Sequence, residues 1–422
     1  MSNEHEVRGE TLTTIPRKRL PFVAFLTGNT ISYVGDILTF LAIPWFVLQT
    51  TGSVAQTGIT AFFSTLPTVF SAFFGSTLVD RLGYKRTSVI GDLVSGGTVA
   101  LIPLLYHTVG LAFWQLLVLV FLGGLLQSPG VTARSSLVPD LAAQARMPLE
   151  RANALTDGVS RVARFLGAPL AGILIAVIGT SNLLWFDGAS FALSALLIGL
   201  AVPATTRQVN ATGERRYFAT LWEGVRFIQR DALIGAIMGT VMITNLLDAA
   251  WSSVIGPAYI KSIFHSALPF GLLVAALGGA AFVGTLIFSV IGHRLPRRLT
   301  FGIGYTIGGA LRFWVFLVPL LPVLLIWQII AGLAIAPINP LTDTIIQERI
   351  PVEMRARVFG TINAGVLAGI PLGTVVSGYL ATWIGLRMTL IVIGTVYLVT
   401  TLSLLLNPVL RKMEKPIAEA YR

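Results

Sequence analysis

The sequence predicts an all-α membrane protein of twelve transmembrane helices, arranged as two pseudo-symmetric bundles of six. One observation is composition: 54% of the 422 residues are hydrophobic and only 12% are charged, whereas soluble domains carry about 25% charged residues. A second is that the hydrophobic residues come in runs of about twenty, the length that crosses a bilayer. A third is an internal repeat, which divides these runs into two equal sets.

Each apolar run between charged or Pro/Gly-containing stretches predicts one helix. The predicted spans are 20–49, 54–79, 87–106, 111–135, 153–178, 181–202, 231–260, 267–292, 299–320, 322–346, 357–383 and 387–407. The first run follows a polar start but is too long for the core of a signal peptide, so we expect a retained helix.

The longest polar interruption separates six predicted helices from six. The domains that follow are an N-terminal tail 1–19, a bundle 20–203, a linker 204–230, a second bundle 231–407 and a C-terminal tail 408–422. In the linker, Phe218, Leu221, Trp222 and Val225 recur at helical spacing beside several arginines. This pattern predicts a helix lying in the membrane interface, with an ordinary solvated linker as the alternative.

Positive charge is concentrated in every second loop. The formal net charge is +11, and most of the 30 Lys and Arg residues lie in the termini and in the loops after even-numbered spans. By the positive-inside rule both termini are cytoplasmic, as expected of a multi-pass protein in the cell inner membrane. A nucleic-acid-binding module would instead collect this charge on one folded face, so no nucleic-acid partner is expected.

Two pairs of segments align at one offset of about 212 residues. DRLGYK at 80–85 aligns with HRLPRR at 293–298, and SPGVTARSSLVPD at 128–140 aligns with NPLTDTIIQERIP at 339–351. Both alignments fall at the same place in each set of six helices, which indicates a duplicated unit. Parallel six-helix repeats are a common transporter plan, in which the substrate site lies at mid-membrane between the halves.

Asp36 and Asp248 are separated by this same offset and lie deep in the first helix of each half. An ionisable side chain inside the membrane marks a functional site by default. Two such carboxylates on one cavity could bind a cation, or could hold protons because burial favours the neutral form of a carboxyl group. The alternative is a structural role at a helix break. Asn29 and Asn245 could extend the polar lining, or join helices.

Arg312 is the charged residue in the apolar run GGALRFWVFLV. A guanidinium in this position needs a carboxylate or an anionic group of the ligand. We expect an ion pair with Asp248, because both residues belong to the second half; the alternative is that Arg312 recognises negative charge on the substrate. Asp187, closer to the outer face, is expected to be structural.

The segment GSTLVDRLGYKR at 75–86 resembles the loop signature of the major facilitator superfamily. SPGVTARSSLVPDL, RANALTDGVSRVARFLGAPLAG and IIQERIPVEMRARVFG look like the macrolide-efflux branch of its drug–proton antiporters. The resemblance implies a secondary active transporter that exports amphipathic, macrolide-like drugs in exchange for protons by alternating access. An exporter or flippase of a lipid or a siderophore-like metabolite is the alternative within the same superfamily.

Two departures weaken the antiporter assignment. The Arg common in the fourth helix of proton-coupled exporters is absent from LLVLVFLGGLLQ at 116–127, and the antiporter element of the fifth helix is reduced to APLAGI at 168–173. Any proton coupling must therefore depend on other residues.

The loop signature is interpreted as a gate. Gly75 and Gly83 allow close helix approach and a tight turn, while Asp80, Arg81 and the basic residue Arg86 can hold helix ends together. The resemblance implies that Asp80 faces Arg357 at the start of the eleventh helix.

A second gate is expected between the halves. Arg134 and Asp343 lie at the inner ends of the fourth and tenth predicted helices, and opposite charges there could form a bridge.

Other classes of function are disfavoured by the residues present. The chain has no cysteine and four histidines without zinc-binding spacing. No nucleophile motif or ATP-binding glycine loop occurs, so neither an enzyme nor an ATP-driven pump is expected, and no cofactor or metal. A channel would need a continuous polar pore rather than two gates. The expected partners are a small amphipathic substrate, protons and the lipid bilayer, with the protein monomeric.

Overall fold

The computed structural model describes residues 19–203 and 214–414. The predicted tail 1–19, except its last residue, the linker residues 204–213 and the tail residues 415–422 lie outside this range. The first half contains α1 Leu20–Thr51, α2 Val54–Leu82, α3 Tyr84–Thr108, α4 Phe113–Gln144, α5 Leu149–Ile178 and α6 Thr180–Ala201. The linker helix is α7 Glu214–Arg230. The second half contains α8 Ala232–Ala250, α9 Gly256–Phe264, α10 Leu268–Ile291, α11 Arg297–Ile303, α12 Leu311–Val315, α13 Leu321–Ile335, α14 Ile338–Arg349, α15 Val352–Ile384 and α16 Leu386–Leu406.

Within the described residues, ten helical segments are long and apolar enough to cross a membrane. The all-helical membrane class is therefore confirmed, whereas the count of twelve stays a prediction. The two predicted spans outside this set are α2 and the segment from α11 to α12, and each runs alongside its neighbours as a helical rod. Because the bilayer offers no hydrogen bonds to an exposed backbone, helices are the form expected for every crossing segment.

Two helices of the second half contain π-helical turns. Trp251–Ile255 joins α8 to α9, and Gly304–Ala310 joins α11 to α12. Single π turns widen a helix locally and often occur at functional sites. Both segments adjoin residues singled out in the sequence, because the first follows Asp248 by three residues and the second ends two residues before Arg312.

Alternation of the helices defines two ends of the molecule. We call the end with the turns at Gly83, Ala145 and Leu295 the basic face, and the end with the turns at Gly52 and Gly179 the opposite face. At the opposite face the halves pack closely along α2 with α15 and along α5 with α10.

The linker contains the helix α7, in the segment where the apolar residues recur at helical spacing. It packs on α15, its Glu223 accepts a hydrogen bond from Arg357, and its Trp222 is 59% exposed. Gly224 lies so close to Thr361 that a larger side chain would collide with it. The helix is thus attached to the second half, and its place in the membrane interface stays a prediction.

Candidate functional site

A cavity of about 240 Å³ surrounds Asp36 near the middle of α1. Its wall comes from α1, α2, α3, α4 and α6, with Ser253 from the π turn after α8 as the contribution of the second half among the described lining residues. Asp36 accepts a hydrogen bond from the Gln127 amide of α4. Asp36 makes no ion pair with any described residue.

The rest of the cavity wall alternates between hydroxyl and apolar side chains. The polar members besides Asp36 and Gln127 are Thr39, Thr57, Thr60, Ser64, Thr65, Ser95, Thr98 and Ser253. The apolar members include Phe40, Ile43, Ile102, Leu119 and Phe191. A concave, partly apolar wall with a few polar groups is the usual form of a small-molecule site.

Asp248 occupies the equivalent position of the second half but has different partners. Arg312 donates to one carboxylate oxygen, and the Tyr397 hydroxyl lies 3.4 Å from the other. The expected ion pair between Arg312 and Asp248 is therefore present. Arg312 is 4% exposed at its side chain and Asp248 35%. Asp248 is not among the residues lining the cavity around Asp36, so that cavity contains one of the two equivalent acids.

Tyr397 reaches Asp248 because Gly309 leaves room for its ring. A side chain on Gly309, within the second π turn, would collide with the ring and hydroxyl of Tyr397. The Arg312 guanidinium also lies 5.0 Å from the ring centroid of Phe313, within the range of a cation–π contact. The second half therefore contains an ion pair that is in contact with the aromatic rings of Phe313 and Tyr397.

The expected bridge between Arg134 and Asp343 is absent, and that prediction is wrong for this structure. Arg134 is 4% exposed and donates to Asp92 Oδ1 at 2.9 Å and to Ser32 Oγ at 2.9 Å, all within the first half. Asp343 is exposed in the second half. The reason is that α4 continues to Gln144 instead of ending near residue 135, which places Arg134 inside the bundle, where a buried charge needs a nearby carboxylate.

Asp92 was missed in the sequence. It lies on α3, is 2% exposed, and its second oxygen accepts a hydrogen bond from Ser194 at 2.7 Å. The signal was available, because Asp92 is an acid within a predicted span and the rule applied to Asp36 covers it equally. Gln127 and the hydroxyls gave no comparable signal, since polar uncharged residues are common in membrane helices.

The remaining predicted lining residues lie away from the cavity. Asn29 is 2% exposed, and Asn245 donates to the Val241 carbonyl of its own helix at 2.8 Å. Neither lines the cavity around Asp36. Asp187 is fully buried and accepts hydrogen bonds from Thr39 and Ser190; its structural role stays a prediction.

The predicted gate residues lie at the basic face. Gly83 has a φ of 78°, a left-handed conformation that favours glycine, and it joins α2 to α3 directly. Gly75 is buried, and a side chain there would touch Pro129 of α4. Arg81 and Arg86 are exposed.

The Asp80 side chain lies outside the described part of the structure, so its expected contact with Arg357 stays a prediction. Arg357 itself pairs with Glu223 of α7. The linker helix therefore supplies the acid that holds this arginine.

The model of the Major Facilitator Superfamily matches the chain over residues 25–249 and again over residues 238–420. The multidrug efflux pump Tap of Mycobacterium tuberculosis (strain ATCC 25618 / H37Rv) is 29% identical over 400 residues, covering 94% of this chain and 95% of that protein. The enterobactin exporter EntS of Citrobacter koseri is 29% identical over 421 residues, covering 96% and 95%. The crystal structure of the nucleoside transporter NupG superposes with a TM-score of 0.76 at 12% identity, covering 91% of this chain and 98% of that one.

Proposed function

The chain belongs to the Major Facilitator Superfamily, and from this premise we propose that it is a proton-coupled exporter of amphipathic drugs that works by alternating access. Family membership makes it a multi-pass membrane transporter rather than an enzyme. Likeness to the multidrug efflux pump Tap over 94% of the chain supports drugs as the cargo. Proton exchange, the preference for macrolide-like compounds and the direction of transport are parts of the proposal.

The observation that carries the proposal is that the carboxyl group of Asp36 forms no ion pair with any described residue. A proton carrier must change between charged and neutral forms without leaving another buried charge unpaired. Asp36 meets this condition because its hydrogen-bond donor, Gln127, is a neutral amide. Protonation of Asp248 would instead leave the buried Arg312 without its carboxylate, at a cost of about 2–4 kcal/mol, since Asp248 is 35% exposed. We therefore assign exchange to Asp36, and a fixed charge pair to Asp248 and Arg312.

Alternating access is supported by where the halves touch. Gly58 of α2 lies against the backbone of Gly378 in α15, and Gly271 of α10 lies against the Ala168 carbonyl of α5, both toward the opposite face. Lys261 of α9 donates to the Leu48 carbonyl of α1 at the same end. The ion pairs that the described residues form near the basic face, in contrast, lie within the second half or join it to α7. This is the arrangement expected of a state closed at the opposite face.

The decisive experiment is drug transport by purified protein in liposomes under an imposed pH gradient. We expect Asp36→Asn to abolish gradient-driven accumulation, because the amide cannot exchange a proton. The matched control is Asp157→Asn, which removes an exposed acid of α5 that does not line the cavity and should leave transport unchanged. Gradient-driven transport by Asp36→Asn at the wild-type rate would contradict the proposal.

A second candidate cargo is a siderophore-like or lipid metabolite, favoured by the likeness to the enterobactin exporter. Competition in the same liposomes separates the two cargoes. A catechol siderophore that blocks drug transport at lower concentration than any drug tested would favour this alternative. In either case we place the protein in the cytoplasmic membrane as a monomer, with both termini on the cytoplasmic side.

A further inference from the structure

The cavity around Asp36 offers hydrogen-bond acceptors almost exclusively. On the premise that the chain exports a small compound through this site, we propose that the cavity receives a protonated primary or secondary amine, whose N–H groups donate to Asp36 and to the surrounding hydroxyl oxygens. The chemical class of the substrate is thus a donor-rich organic cation with an apolar remainder.

The first step is the direction of the hydroxyl hydrogen bonds. A hydroxyl group has one proton to donate and two lone pairs, and a backbone carbonyl can only accept. Six lining hydroxyls give their proton to a backbone carbonyl at 2.8–3.0 Å: Thr57 to Ser53, Thr60 to Gln56, Ser64 to Thr60, Thr65 to Ala61, Ser95 to Gly123 and Thr98 to Val94. Thr39 donates to the Asp187 carboxylate. These seven oxygens therefore have lone pairs, but no proton, left to share. Thr57 and Thr60 are 0% and 1% exposed, so we assign the contacts with an occupant to the less buried Thr39, Ser64 and Thr65.

The second step is charge. The described lining residues include Asp36 and no Lys, Arg or His. One N–H of Gln127 already donates to Asp36. The donors that remain for an occupant are the second N–H of Gln127 and the Ser253 hydroxyl. An anionic or acceptor-rich group here would place lone pair against lone pair and leave buried polar atoms without partners. A cation without N–H groups, such as a quaternary ammonium, would satisfy the charge but not the hydroxyl oxygens.

The third step is size. The cavity volume of about 240 Å³ lies just below the range of about 300–1,000 Å³ typical of small-molecule pockets. It therefore encloses the head group of a drug-sized molecule and the beginning of its tail. Ile43, Ile102 and Leu119 provide an apolar surface for that tail.

This occupant also explains how export and proton entry would be linked at one residue. A protonated Asp36 is neutral and has lost its attraction for an ammonium group, so proton and amine compete for the same carboxylate. Each proton that binds Asp36 from the outside would help release the amine there.

The experiment compares two fluorescent probes that differ in one group. Both carry a dansyl amide on a five-carbon chain, one ending in a primary ammonium and the other in a trimethylammonium. Binding to purified protein in lipid nanodiscs is followed by fluorescence titration. We expect the primary ammonium to bind about tenfold more tightly, since it makes two or three hydrogen bonds that its counterpart lacks.

The variant Thr65→Val with Ser64→Ala removes two acceptors of the cavity wall without changing charge. It should reduce the preference for the primary ammonium about fivefold and leave the affinity of the trimethylammonium probe unchanged. The control is Thr30→Val on α1, which deletes a hydroxyl with the same bond to its own helix, to Leu26, but outside the cavity wall. It should retain the wild-type preference, and the melting temperature of each variant verifies its folding.

Equal affinities of the two probes, or an equal loss for both in the double variant, would overturn the inference and indicate that the cavity serves protons and water alone. Transport under a pH gradient, measured on the same samples, separates this inference from the proposed function. Gradient-driven transport without probe discrimination removes the inference only. Discrimination without gradient-driven transport supports the inference as a binding site and removes the exporter mechanism.

Discussion

The two halves hold an acid at the same position of their first helix, yet the two acids have opposite electrostatic settings. Asp36 accepts from the neutral Gln127 in a cavity, whereas Asp248 is paired with Arg312 and approached by Tyr397. At the repeat offset, Arg312 corresponds to Ala100 and Tyr397 to Trp185. Both halves thus have the carboxylate, but only Asp248 has an ion-pair partner among the described residues.

A second difference concerns the deeper interior. The first half contains the buried pair of Asp92 and Arg134, and the equivalent positions in the second half are Gly304 and Ile346. Gly304 begins a π turn there, against the Ala334 carbonyl. The halves therefore share a backbone plan but place their charges differently: in the first half the pair is separate from the cavity acid, and in the second half the equivalent acid is part of the pair.

The largest effect is expected from breaking the pair in the first half. Arg134→Met leaves Asp92, whose side chain is 3% exposed, without its cation, and should lower the free energy of unfolding by about 3–5 kcal/mol. Thermal or denaturant unfolding in detergent measures the loss. The double variant Arg134→Met with Asp92→Leu should recover most of it. If Asp343→Arg instead recovered the stability lost in Arg134→Glu, the result would contradict this prediction, because it would indicate that residues 134 and 343 pair across the two halves.

The same substitution at the two equivalent acids sharpens the comparison. Asp248→Asn leaves Arg312 without its carboxylate and should lower the free energy of unfolding by about 2–4 kcal/mol. This loss is smaller than that from breaking a fully buried pair, because Asp248 is 35% exposed. Asp36→Asn leaves no described charge without an ion-pair partner and should cost under about 1 kcal/mol. Arg312→Met added to Asp248→Asn serves as the rescue. Equal losses at positions 36 and 248 would refute the proposed asymmetry.

A smaller effect than that of breaking either charge pair is expected where the halves are alike, at the two glycine contacts of the opposite face. Gly58→Ala and Gly271→Ala each place a methyl group against a backbone atom across the interface and should weaken closure by about 1–3 kcal/mol. The chain has no cysteine, so labelling of a single Ser253→Cys from either side of a liposome reports which face is open. Gly97→Ala, with open space around it, is the control. If only one of the two variants changed the side from which Ser253→Cys is labelled, the two glycine contacts would not be equivalent.

Much of the site followed from sequence because charge in an apolar run is conspicuous. Asp36, Asp248 and the partner of Arg312 were all predicted, and most helix ends agree within a few residues. The failures have physical causes. Arg134 was placed at a helix end because Pro139 and polar residues follow it, whereas α4 continues through that proline to Gln144. The π turns had no sequence signal, since they depend on packing around Tyr397 and Trp251.

The sequence by itself determined the membrane class, the division into two repeated halves and the depth of the equivalent acids. Each of these properties can be read from the hydropathy, the length or the repeat offset of individual segments. In the bilayer each such segment must form a helix, because its backbone groups find no other hydrogen-bond partners. Only the tertiary structure decided which acid is compensated, where Arg134 finds its carboxylate and which way the cavity hydroxyls point. Those outcomes depend on how each helix is rotated against neighbours distant in the chain, because a hydrogen bond or ion pair forms only when its two groups approach within about 3 Å.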